Sequence, residues 1–114
     1  MKSLILFLAL SFSTQAQEIY RNLAKTTVTV EETTILLSYR DMSYQYIDAF
    51  ESLVFTRSEF EEFLNACIEV VETGEPKQLN GYNISKYGTS AKIRKGNTYT
   101  ILGKGQIKKI KSKL

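Results

Sequence analysis

An amphipathic segment at residues 58–73 constrains the fold more than any other part of the sequence. Ser58 and Glu61 form the Ser-x-x-Glu pattern of a helix capping box. Gly74 and Pro76 indicate where the helix ends. Its apolar residues recur with helical spacing on one face: Phe60, Phe63, Leu64, Cys67, Ile68 and Val71. A single helix of this length is marginal in water, so we expect this face to pack against neighbouring strands.

Runs with strand character occur on both sides of this helix. They are residues 26–31, 34–40, 44–47, 52–56, 81–87, 90–95 and 98–102. Gly96-Asn97, between the last two runs, is typical of a two-residue hairpin turn, whereas residues 18–25 and 75–80 show no period and are predicted to be connecting segments. We therefore expect an α+β domain with an antiparallel meander sheet of about five to seven strands. Helix 58–73 packs on one face of that sheet, and a short helix ends the chain.

The start of the chain has the pattern of a secretory signal peptide. Lys2 supplies the positive charge, residues 4–12 form a short apolar run, and Thr14-Gln15-Ala16 is a suitable cleavage site. The apolar run is too short to cross a bilayer as a helix. The sequence thus predicts cleavage of residues 1–16, a mature single domain at residues 17–114, and a secreted or periplasmic location.

The residue inventory speaks against most enzyme classes. The chain has no histidine, the usual general base and metal ligand. It has one cysteine, Cys67, on the apolar helix face, where we expect a buried thiol without a disulfide. No motif for a metal, nucleotide or other cofactor is present, so we expect no cofactor, no metal site and no catalytic residues. A carboxylate-dependent hydrolase built on Glu59, Glu61 and Glu62 is the remaining enzymatic hypothesis.

The two halves of the chain show a weak internal similarity. Val54-Phe55, Phe60 and Phe63 match Ile101-Leu102, Ile107 and Ile110 at a constant offset of 47 residues. The matches only pair one apolar residue with another, so chance is the simpler interpretation and a duplicated unit is the alternative.

Charge is divided unevenly along the chain. Residues 17–75 contain twelve acidic and four basic residues, whereas residues 76–114 contain ten basic residues and no acidic one. Residues 103–114 form a predicted basic tail with five candidate contacts for an anionic surface: Lys104, Lys108, Lys109, Lys111 and Lys113. The tail is either exposed to a partner or docked on the domain through Ile107, Ile110 and Leu114.

These observations favour a small exported binding module without catalytic activity. Its candidate partners are an anionic polymer, a membrane surface or another protein. Nucleic acid could stack on Tyr82, Tyr87 and Tyr99 among the lysines, but export argues against such an encounter. The alternative from another class is an assembly subunit that self-associates through unpaired sheet edges. Asn83-Ile84-Ser85 is a glycosylation sequon, which matters only in a glycosylating host.

Overall fold

A computed structural model describes residues 16–114 of the protein. Residues 1–15, which hold nearly all of the predicted signal peptide, lie outside the described residues. The described chain forms, in order, β1 (Gln17–Arg21), β2 (Thr27–Val30), β3 (Ile35–Arg40), β4 (Phe50–Phe55), α1 (Arg57–Thr73), β5 (Lys77–Leu79), β6 (Tyr82–Tyr87), β7 (Ser90–Lys95), β8 (Thr98–Gly103) and α2 (Lys104–Ser112).

The strands divide into two antiparallel sheets of four, each a simple meander followed by a helix. The strand orders are β1-β2-β3-β4 and β5-β6-β7-β8, so the first half (β1–β4 with α1) and the second half (β5–β8 with α2) have the same plan. The predicted α+β class, the antiparallel meander and the short C-terminal helix are confirmed. The strands number eight in two sheets, rather than about five to seven in one.

Three local predictions differ from the structure. β1 and β5 fall in segments that were expected to be connections, and residues 44–47, expected as a strand, lie in the β3–β4 loop. In that loop the Asp41 carboxylate accepts the Ser43 N–H at 3.0 Å, which closes a turn just before the expected strand.

Helix α1 begins at Arg57, with Thr56 as its N-cap. The Thr56 hydroxyl accepts the Glu59 N–H at 3.2 Å, and the Thr56 N–H donates to Glu59 Oε1 at 2.9 Å. The predicted capping box at Ser58 and Glu61 is therefore wrong by two positions. The reason is that Phe55 is the last core residue of β4 and the chain turns into the helix directly after it. The predicted C-terminal stop is confirmed, since Gly74 has φ +80° and donates to the Val70 carbonyl at 2.8 Å.

The core joins both sheets and both helices. Phe60 and Phe63 of α1 are completely buried, as are Ile107 and Ile110 of α2. Phe55 of β4 contacts both phenylalanines of α1, with ring centroids 5.2 and 5.0 Å apart. Burying such a side chain stabilises the fold by about 1.5–3 kcal/mol. One hydrophobic cluster therefore ties the two halves together.

Candidate functional site

The edge strands of the two sheets, β4 and β8, each receive hydrogen bonds from the other half of the molecule. The Ser52 carbonyl of β4 accepts a hydrogen bond from Lys95 Nζ at 2.9 Å. In β8, the Tyr99 N–H donates to Asp41 Oδ1 at 3.2 Å, and the Tyr99 carbonyl accepts the Met42 N–H at 2.9 Å. Each half thus supplies a hydrogen bond to one outward-facing residue of the other half's edge strand, Ser52 or Tyr99.

Two side-chain contacts also join the halves at this junction. Lys95 Nζ lies 3.4 Å from Glu51 Oε1, which also accepts the Ser52 N–H at 3.0 Å. Tyr39 OH lies 2.9 Å from Thr98 Oγ1. Glu51 and Thr98 each stand one residue before a capped edge residue, at the same offset of 47 in the sequence. Their partners, Lys95 and Tyr39, are not related by this offset, so only the contacted positions correspond.

Both edge strands are also closed at the point where their helix begins. The Thr56 N–H donates to Glu59 Oε1, and the Gly103 N–H donates to Gln106 Oε1, both at 2.9 Å. Self-association through sheet edges remains a prediction. Of the described edge strands, β4 and β8 are capped at these positions, whereas β1 and β5 have no such caps.

The predicted basic tail is the helix α2, and it is docked on α1. Lys104 Nζ lies 2.9 Å from Glu72 Oε2, a contact that lowers the pKa of Glu72. Lys111 Nζ donates to Asn65 Oδ1 at 2.7 Å. The structure therefore gives these two of the five predicted lysines partners inside the protein.

The other three predicted lysines, Lys108, Lys109 and Lys113, are exposed and form no ion pair within residues 16–114. They share one helix with Lys104 and Lys111. Lys109 lines an open cavity of about 530 Å³ together with Tyr20 and Leu23, and Lys108 and Lys113 lie outside it. Because Ile107 and Ile110 are completely buried, removing the tail would also remove core residues.

A different basic cluster lies on the outer face of the second sheet, the face turned away from the core. Lys92 Nζ lies 4.4 Å from the centroid of the Tyr99 ring, and the Arg94 guanidinium carbon lies 5.5 Å from it. We call Lys92, Arg94 and Tyr99 the basic sheet face. The sequon residue Asn83 lies opposite Arg94 in the neighbouring strand, so a glycan on Asn83 would stand beside this face.

Sequence reasoning singled out Tyr99 but missed its two cationic neighbours. The alternation of this strand could have revealed them, since Lys92 and Arg94 alternate with Ala91 and Ile93, which are completely buried. The hairpin at Gly96-Asn97 then fixes the register that places Arg94 opposite Tyr99. The other two tyrosines of the nucleic-acid hypothesis lie in different environments. Tyr87 is exposed, whereas Tyr82 packs edge-on against Phe63 of the core.

The β3–β4 loop adds exposed aromatic side chains beside the basic sheet face. A shallow cavity of about 580 Å³ lies between Tyr99 and loop residues 42–47. Tyr46 is 92% exposed and Tyr44 is 47% exposed. The cavity therefore has tyrosine on both sides and two cations at the Tyr99 ring.

Two carboxylates hold this loop at its ends. Asp48 accepts from Arg40 Nε at 2.9 Å and from Lys25 Nζ, and the two cations lower its pKa. At Asp41, burial raises the pKa, but hydrogen bonds from the N–H groups of Ser43 and Tyr99 outweigh this and hold it below its ordinary value. Both groups are thus charged at neutral pH and fix the loop.

A second concave site lies on the acidic side of the molecule. A cavity of about 300 Å³ separates the edge of β4 from the β5–β6 hairpin, above the first turns of α1. We call it the edge groove. It is lined by Leu53, Val54, Phe55, Glu59, Glu62, Leu79, Asn80 and Tyr82.

The residues that could carry catalysis have structural roles or lie outside a cleft of paired carboxylates. Glu59 closes the capping box, and Glu59, Glu61 and Glu62 are all exposed. Cys67 is completely buried, which raises the pKa of its thiol and leaves it un-ionised. Among residues 16–114, no group of three or more His, Cys, Asp or Glu side chains could hold a metal ion.

Comparison with known proteins gives no relative from which a function could be transferred: no family model, curated protein or solved structure matches the chain. Within the part that the structure describes, no helix has the length and apolar character that crossing a bilayer requires.

Proposed function

We propose that this protein is a small exported binding module, without catalytic activity, that holds an acidic polysaccharide against the basic sheet face and the β3–β4 loop. The observation that carries the proposal is the pairing of Lys92 and Arg94 with the ring of Tyr99, next to the exposed Tyr44 and Tyr46. Tyrosine rings offer flat surfaces for sugar rings, and the cations offer charge-assisted hydrogen bonds to carboxylates.

Charge supports the same surface. Of the ten basic residues after residue 75, three form ion pairs within the described chain: Lys77, Lys95 and Lys104. Lys92 and Arg94 have no such partner there, so their charge is available to a ligand. A local excess of positive charge also speeds the approach of an anionic polymer.

The test measures binding of the mature chain, residues 17–114, to polygalacturonate, with neutral dextran as the control polymer. Lys92→Gln and Arg94→Gln should each weaken binding about threefold to tenfold, since partly exposed charge contacts contribute about 0.5–1.5 kcal/mol. Binding should also weaken as salt is raised. Tyr46→Ala should weaken binding without changing its salt dependence.

The matched control is Lys108→Gln with Lys113→Gln, which removes two exposed charges from α2 and leaves the basic sheet face intact. Equal loss in the control and in the Lys92 and Arg94 variants would mean that net charge alone drives binding. Tighter binding to single-stranded DNA than to polygalacturonate would redirect the proposal to nucleic acid. A chain ending at Leu102 is not a usable control, because it lacks Ile107 and Ile110 of the core.

A further inference from the structure

One residue of the β4 edge is left open between two capped positions. The Asp41 N–H donates to the Ala49 carbonyl at 2.7 Å, so these two residues form a hydrogen-bonded pair next to the β3–β4 ladder. Hydrogen-bonded and non-bonded pairs alternate along an antiparallel ladder. The N–H and carbonyl groups of Ser52 and Val54 therefore point away from β3. The N–H and carbonyl groups of Ser52 are hydrogen-bonded to the side chains of Glu51 and Lys95, whereas the corresponding groups of Val54 face the edge groove.

The edge groove has an apolar side. Val54 is 64% exposed, although it lies in the middle of a strand. Across the groove, the β5–β6 hairpin contributes Leu79 and Tyr82. Tyr82 is held in place by edge-on contacts with Phe55 and Phe63, at centroid distances of 6.0 and 5.5 Å. The groove thus offers one free pair of backbone groups beside a fixed aromatic wall.

The groove also has an acidic rim. Glu59 and Glu62 project from consecutive turns of α1 and line the groove. Glu62 is exposed and forms no ion pair within residues 16–114. Burial is the main cause that raises the pKa of Tyr82 to about 12, and the negative charges of Glu62 and Glu59 add to it. An occupant that carries positive charge would be complementary to this rim.

We propose that the edge groove binds a short extended segment of another polypeptide that carries lysine or arginine. One residue of the segment pairs with Val54 as an added strand, and its basic side chain reaches Glu62 and Glu59. The capped residues on either side limit the pairing to about one residue, so the neighbouring side chains of the segment supply the remaining contacts. This site is separate from the basic sheet face and does not depend on its function.

The experiment uses the mature chain and a short acetylated, amidated peptide of alternating valine and lysine as the probe. Fluorescence anisotropy should show saturable binding, and the same peptide with glutamate in place of lysine should bind at least tenfold more weakly. Methylation of the central backbone nitrogen of the valine–lysine peptide should also weaken binding, since it removes the donor that would meet the Val54 carbonyl.

Three substitutions in the protein locate the site. Val54→Pro removes the outward N–H of an edge strand, where proline is tolerated, and should reduce affinity at least fivefold. Glu62→Gln should reduce it by a similar factor. Glu61→Gln is the matched control, because Glu61 is an exposed carboxylate of the same helix outside the groove, and it should change affinity less than twofold.

A measurement on the unmodified protein makes the result independent of folding of the variants. In a two-dimensional amide spectrum, the peptide should shift the resonances of Val54, Leu79 and Tyr82, and leave those of Lys92 and Arg94 in place. The proposal is overturned by absence of saturable binding, by equal binding of the glutamate peptide, or by shifts confined to other surfaces. Lys92→Gln should leave peptide binding unchanged, which separates this proposal from polysaccharide binding.

Discussion

The first and second halves of this molecule share a backbone plan and differ in charge. Each is a four-stranded meander that leads into a helix, and each has a capped edge residue, Ser52 or Tyr99, at the same distance before that helix. Yet the acidic residues all precede residue 76, and ten of the fifteen basic ones follow it. The two halves are therefore alike in their buried and helix-capping positions and differ in the charge of their exposed positions.

The offset of 47 residues that was noted in the sequence has structural meaning. Phe60 and Ile107 are completely buried at equivalent positions of the two helices, as are Phe63 and Ile110. The capped edge residues Ser52 and Tyr99 follow the same offset, whereas the residues that cap them, Lys95 and Asp41, do not. Whether the halves arose by duplication remains a prediction, but their structural correspondence extends well beyond four apolar matches.

The largest effect should come from removing the equivalent core residues. Phe63→Ala should lower the free energy of unfolding by about 3–5 kcal/mol, and Ile110→Ala by about 2–5 kcal/mol. Because one cluster joins the halves, urea denaturation should show a single transition in both variants by fluorescence and circular dichroism alike. Two separate transitions would mean that the halves are independent units.

The reciprocal contacts at the junction should have intermediate effects. Lys95→Met removes the donor to the Ser52 carbonyl and the contact with Glu51, and Tyr39→Phe removes the contact with Thr98. Each should cost about 1 kcal/mol, the net value of a typical hydrogen bond. Urea midpoints give these values. A cost for one variant and none for the other would show that only one of the two contacts stabilises the junction.

The starts of the two helices offer a pair of changes with opposite effects on stability. Thr56→Ala removes the hydroxyl that caps α1 and should cost about 1 kcal/mol. At the equivalent Gly103 the added Cβ would meet only ordinary contacts, with Ser90 Oγ and Gln106 Oε1 at 3.8 Å. Gly103→Ser should therefore raise stability by a few tenths of a kcal/mol. Thermal denaturation of both variants tests this, and a destabilising Gly103→Ser would show that the two starts differ in geometry.

The smallest effect concerns pH. The pKa of Asp41 in the folded protein lies below its ordinary value of 3.8, so its contribution to stability is complete above about pH 4 and is lost as the pH falls through the folded pKa. Asp41→Asn should flatten the decline of the urea midpoint between neutral and acidic pH. An unchanged acid profile would show that other carboxylates account for the decline.

The sequence was sufficient for elements with strong local periodicity. The face of α1 that carries Phe60 and Phe63, the end of the helix at Gly74 and the hairpin at Gly96 follow from spacing and glycine positions. β1 and β5 were missed because they are short and polar and derive their order from pairing with the next strand. Their pairing depends on contacts that no local pattern records.

The candidate sites depended on tertiary structure to a greater degree. The edge groove brings together Val54, Glu62 and Tyr82 from three elements, and nothing in the sequence places a hairpin opposite β4. The basic sheet face could have been predicted from the sequence, since strand alternation and the hairpin register bring Lys92 and Arg94 to Tyr99. The tail lysines were predicted as contacts because they are close together in the sequence, but the structure gives Lys104 and Lys111 partners within the protein.

The contact between Lys95 and Ser52 spans 43 residues, and this has a consequence during synthesis. Until the second half has been synthesised, the outward carbonyl of Ser52 lacks the Lys95 donor and depends on water for its hydrogen bond. When the whole chain folds in one event, Lys95 and the turn at Asp41 reach the backbone groups of Ser52 and Tyr99 together.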